Sequence, residues 1–168
     1  MDKAEDLVEA FKTTSAVSSK LDVLMDLERL GDERSLPFLL QVLADEREPT
    51  EVRVHVLRRL SRDRRFIPGR RLMVAETVRQ VAADHPSPFL RLKAALALAE
   101  FADLACVVST LGDLALDADE PIDLRYSAFT SLQRAGATPE CVTLLRELTT
   151  DEMLGRSARS LLSLWRLE

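Results

Sequence analysis

Nine arginines stand between Arg53 and Arg79, with only Asp63 and Glu76 to offset them. That segment is about +7, so the rest of a chain with net charge -5 carries about -12. Clustered guanidinium groups meet phosphates and carboxylates through paired N–H bonds. Arg58, Arg59, Arg62, Arg64, Arg65, Arg70 and Arg71 are therefore the candidate anion- or partner-binding residues. The turn SRDRRFIPGRR sets Arg62, Arg64, Arg65, Arg70 and Arg71 on or beside a loop. The competing reading is a solvated helix edge, partly paired with the acidic stretch Ala94–Leu124, which holds seven carboxylates and no base.

Other chemistries find weaker footing. DADEPID (Asp117–Asp123) offers carboxylates at positions 1, 3 and 7 of a calcium-type loop, but Pro121 and Ile122 replace the ligand and glycine such a loop needs. His55 and His85 are 30 residues apart with no partner at ligand spacing, so no metal site is expected. Cys106 and Cys141 lie beside Val107-Val108 and Val142, as small apolar fillers do. Two cysteines suit a reducing compartment. No GxSxG, Walker loop or GxGxxG is present, and neither a catalytic residue nor a cofactor is expected. Aromatics are 5% of the chain, with only Phe66 in the arginine loop, which supplies few stacking platforms for nucleic acid. The N-terminus MDKAEDLVEAFK lacks the pattern of a signal peptide, and no run of 18 apolar residues exists. The expectation is a soluble, cytoplasmic protein with no membrane contact.

Helical periodicity positions these residues. Scarce glycine and abundant Leu, Ala, Arg and Glu favour helices over sheets. The spacing predicts helices over Lys3–Thr13, Ser18–Leu30, Ser35–Asp45, Thr50–Leu60 and Arg70–Ala83. Five more are predicted over Pro88–Ala102, Leu104–Leu116, Leu124–Ala135, Pro139–Leu148 and Glu152–Leu167. Ser87-Pro88 and Thr138-Pro139 read as cap-plus-proline starts, and Gly31 as a stop. Basic residues recur at Lys20, Arg53, Arg91, Arg125 and Arg159, at intervals of 33, 38, 34 and 34. An aspartate (Asp45, Asp84, Asp117, Asp151) precedes each of the four arginines by 8, 7, 8 and 8 residues.

These phased residues resemble HEAT repeats, particularly the short bacterial kind related to the phycobilisome-lyase HEAT-like group. LERLGDERSLPFLLQVLADEREPTEVRVHVLRRL carries the pattern best, with its Leu-Gly-Asp turn, early Pro37 and final Val52-Arg53. The resemblance implies an all-α, right-handed α-α superhelix of about four helical pairs with an extra N-terminal helix. It would be one domain over 1–168, with 1–17 a cap and 18–168 the repeats. It also implies a structural ladder of Asp45, Asp84, Asp117 and Asp151 with Arg53, Arg91, Arg125 and Arg159. The second repeat is four residues longer than the others, and no aspartate precedes Lys20 at that spacing.

The functional expectation is a non-enzymatic scaffold or adaptor that uses a concave repeat surface and the arginine-rich patch to bind a protein with an acidic or phosphorylated patch. Two further readings rest on fold analogy alone: a HEAT-like lyase or enzyme subunit handling a cofactor or tetrapyrrole, and a DNA-binding or DNA-repair module.

Overall fold

Side chains at the helix starts satisfy backbone donors that the helices themselves leave open. Asp2, Ser87 and Thr138 each accept an N–H from the first turn of the helix they precede. Gly31 stops a helix in the left-handed region at φ 66°, donating its N–H to the Leu27 carbonyl. The computed structural model describes residues 2–62 and 68–167. Among them are ten α-helices and no strand. The helices are α1 (Lys3–Thr13), α2 (Val17–Leu30), α3 (Leu36–Ala44), α4 (Thr50–Arg62), α5 (Pro68–Asp84), α6 (Pro88–Ala97), α7 (Ala105–Leu116), α8 (Ile122–Leu132), α9 (Pro139–Leu148) and α10 (Gly155–Leu164).

The chain divides into two compact units, Met1–Phe66 and Ile67–Glu168. In the first, α1 packs on α2, α3 on α4, and α2 on α4. Phe11 meets Phe38 edge to face, with ring centres 5.2 Å apart. Leu24, Leu27, Leu43, Leu57 and Leu60 are buried, each contributing roughly 2 kcal/mol by leaving water.

The second unit pairs α5 with α6, α7 with α8 and α9 with α10. Helix α7 also lies against both α5 and α9, and α6 lies against α8. Leu90, Leu98, Leu111, Leu132, Leu145 and Leu148 are fully enclosed. Helices α7 and α9 approach closely at Gly112, where an added Cβ would meet the Leu144 methyl carbons at 2.6 and 2.7 Å.

Several helix ends differ from the periodicity reading. Helices α6 and α8 tighten into 3-10 turns at Leu98–Phe101 and Gln133–Ala135, a common way to occupy carbonyls that have run out of i+4 donors. Helix α10 starts at Gly155 rather than Glu152, because the Asp151 carboxylate holds the N–H groups of Met153 and Leu154 in a turn. It closes with the Leu167 N–H on the Leu162 carbonyl and the Arg166 N–H on that of Ser163. Arg166 occupies the left-handed position (φ 60°) that glycine usually fills there.

Candidate functional site

One position repeats through the molecule. A basic residue stands fourth in α2 (Lys20), α4 (Arg53), α6 (Arg91) and α8 (Arg125), and fifth in α10 (Arg159). Each of the four arginines reaches back to a carbonyl at the C-terminal end of the preceding helix, where the helix has no N–H left to offer. Arg53 gives Nε and Nη2 to the Leu43 carbonyl at 2.8 and 2.6 Å. Arg125 gives the same two groups to Ala115 at 3.0 and 2.9 Å. Arg91 bonds Ala82 and Ala83 at 2.9 and 3.0 Å, and Arg159 bonds Thr149. A cation at a helix C-terminus is also favoured by the helix dipole. The fork is what lets one side chain hold such a carbonyl and still reach beyond it.

For Arg91 and Arg125, what lies beyond is an acid from a later connecting turn. Arg91 grips both oxygens of Glu120 at 2.9 and 2.6 Å, and Arg125 bonds Asp151. In the first unit Lys20 bonds Glu48 at 2.6 Å while lying 4.7 Å from the Phe11 ring centre. Arg53 and Arg125 are buried, at 2% and 4% exposure, so these contacts are shielded from water.

The connecting turns follow one design. In both Asp45–Arg53 and Asp117–Arg125 the sequence is Asp-x-x-Glu-Pro-x-x-x-Arg. The first aspartate accepts the N–H two residues on, at 2.9 Å in each turn. The glutamate N–H returns to that aspartate's carbonyl, and the proline carbonyl accepts the arginine N–H. Asp45 and Asp117 thus shape their own turns, and Asp45 is held below the usual carboxylate range by the Arg47 side chain. Glu48 and Glu120 are the acids that meet Lys20 and Arg91; the sequence reading missed them, although both stand three residues after a predicted ladder aspartate. Asp84 ends α5 and is exposed. The three-residue connector 85–87 leaves no room for the longer turn, and His85 Nδ1 accepts the Ser87 N–H instead.

Asp151 combines both roles. Burial raises its pKa, but the N–H groups of Leu154 and Met153 and the Arg125 guanidinium lower it further, so the carboxyl sits below its ordinary range. A depressed folded-state value means stability that is present above the unfolded pKa of about 3.9 and lost as pH falls through the folded value. Asp151→Asn is therefore expected to lower stability at pH 7 and to flatten the acid limb of a urea-midpoint profile below about pH 4. A mutant profile parallel to that of the parent would exclude this role.

The seven candidate anion-binding arginines separate. Arg64 and Arg65 lie outside the described residues. Arg58 and Arg62 are exposed on the last two turns of α4. Arg59, on the same helix, stands 3.5 Å from Glu28 with its side chain 21% exposed. Arg70 and Arg71 fall in the first turn of α5. Arg71 is engaged within its own unit: it holds both Asp103 oxygens at 2.7 and 2.6 Å and the Glu100 carbonyl at 2.7 Å, and lies 5.2 Å from the Phe101 ring centre. This contact keeps the Asp103 carboxyl well ionised.

Neither a protein-family model nor a curated protein sequence matches the chain.

Among the described residues, no cluster of three or more His, Cys, Asp or Glu side chains is arranged to hold a metal ion. Cys141 is buried, which pushes its thiol pKa up, and it donates to the Leu132 carbonyl; Cys106 is half-buried. No described helix is long and apolar enough to cross a membrane. His55 and Arg59 line a cavity of about 80 Å³ between α2, α3 and α4 in the first unit. Open grooves of about 450 Å³ and 480 Å³ run between α1 and α3 and between α7 and α9.

Proposed function

We propose that the chain is a HEAT-like repeat protein, a right-handed superhelix of helical pairs. It acts as a non-enzymatic scaffold for a protein partner with an acidic or phosphorylated patch. The observation that carries this reading is how the buried polar groups are used. The arginines at the head of the second helices hold carbonyls and neighbouring turns, and every described buried side-chain nitrogen or oxygen has a hydrogen-bond partner. Polar chemistry inside the fold thus goes to holding helices in place, which leaves recognition to the exposed side chains. Arg58 and Arg62 supply cationic recognition groups among them, one turn apart on α4.

An array of acidic and phosphorylated peptides tests the reading. The parent chain should enrich them over neutral peptides, and Arg58→Glu/Arg62→Glu should cut that enrichment about tenfold or more with helicity unchanged. Equal signals from parent and double variant would remove the arginine face from the proposal.

A further inference from the structure

We infer that the protein associates with itself, the exposed arginines of α4 in one copy docking on the head of α8 in another. The inference rests on the partner reading above and names the acidic partner as a second copy of this chain. Both halves of the contact stand open. Arg58 and Arg62 are exposed, and no described carboxylate forms an ion pair with either. They lie one turn apart on α4, so their side chains emerge side by side, with Cβ atoms about 5–6 Å apart.

The acidic half belongs to the second unit. Asp119, in the turn before α8, and Asp123, in its first turn, are exposed, and no described base forms an ion pair with them. The same holds for Glu152, in the turn before α10. Tyr126, one turn on from Asp123 along the same face of α8, is 40% exposed. Its hydroxyl donates to the Met153 carbonyl at 3.2 Å, which brings the Glu152-Met153 turn up to α8. Met153 is itself 51% exposed. Arg156 is exposed in the first turn of α10, and against three carboxylates it leaves this surface net negative.

The two surfaces match in charge and in spacing. A guanidinium pairs with a carboxylate through its edge and stacks on an aromatic ring through its face. Asp123 and Tyr126 repeat on α8 the one-turn interval of Arg58 and Arg62 on α4. One arginine of the second copy therefore reaches Asp123 while the other covers the Tyr126 ring. A foreign acidic peptide satisfies the two arginines but leaves the carboxylates around Tyr126 without a cation, whereas a second copy satisfies both. The uneven charge of the chain, about +7 over Arg53–Arg79 and about -12 elsewhere, steers the copies into this approach.

Sedimentation velocity of the full chain over a range of concentrations tests the inference. The parent should associate reversibly at low ionic strength and return to monomer in about 1 M salt, where charges are screened within about 3 Å. Arg58→Glu/Arg62→Glu and Asp123→Arg should each weaken association about tenfold or more, with circular dichroism unchanged. All three positions are exposed, so the fold does not depend on them. Mixing the two variants should restore association, because the arginines of Asp123→Arg meet the native Asp123 of the double variant. A parent that stays monomeric at low salt overturns the inference. If that monomer still enriches acidic peptides, the partner reading survives and the partner is a foreign protein; if it enriches none, both fall. Association that persists in about 1 M salt, or variants that stay monomeric when mixed, overturns the inference as well.

Discussion

Arg125→Met should destabilise the protein by about 3–5 kcal/mol, the range for removing one partner from a buried charged pair. Methionine approximates the length and the apolar stem of arginine but donates nothing. The Ala115 carbonyl loses both of its Arg125 donors near the end of α7, and the Asp151 carboxylate, 17% exposed, loses its guanidinium partner. Each of these groups then bears its desolvation without a compensating bond. Lysine at this position would keep the charge but not the fork, so Arg125→Lys should recover only part of the loss. Urea unfolding followed by circular dichroism is the measurement, with the midpoint falling and the slope unchanged. A loss below about 1 kcal/mol, the worth of an ordinary surface pair, would mean that Arg125 does not act as a buried clamp.

The second large effect is expected at a glycine. A Cβ on Gly155 would lie 2.7 Å from the Thr149 carbonyl oxygen and 3.2 Å from Arg159 Nη1, inside the bond by which Arg159 holds that carbonyl. Backbone cannot yield there as a flexible side chain can. Gly155→Val should therefore cost about 2–4 kcal/mol, combining overpacking with the lost hydrogen bond. Arg159→Ala alone should cost less. Adding Gly155→Val to Arg159→Ala should cost less than the sum, because both disrupt the same contact. Strict additivity of the two would separate the glycine from the clamp.

The helices were legible because their signals are local: leucine periodicity, Ser87-Pro88, Thr138-Pro139 and Gly31 all act within one or two turns. The four arginines were legible too, since a residue needed once per helical pair repeats at nearly constant spacing. Their acceptors were harder to read, because the carbonyls of Leu43, Ala82, Ala115 and Thr149 are backbone groups that leave no mark in residue identity. Glu48 and Glu120 were visible as Asp-x-x-Glu-Pro, yet in a chain with 28 acids their role emerges only once the turn sets them against Lys20 and Arg91. Gly155 was hidden for another reason: it has an ordinary helical φ, and the need for glycine comes from a carbonyl six residues earlier. The arginine segment promised one patch, but charge composition does not record pairing. Arg71 is occupied by Asp103, while Arg58 and Arg62 stay exposed.

Rungs join helix heads to acids of the connecting turns at Lys20–Glu48, Arg91–Glu120 and Arg125–Asp151, and a double-mutant cycle on Arg91 and Glu120 tests such a rung most directly. Arg91→Met and Glu120→Gln, singly and together, cancel the bonds Arg91 makes to Ala82 and Ala83 and leave the rung itself. A coupling of about 1–2 kcal/mol is predicted for this two-pronged, half-buried pair. Single effects that add to within about 0.5 kcal/mol would contradict it.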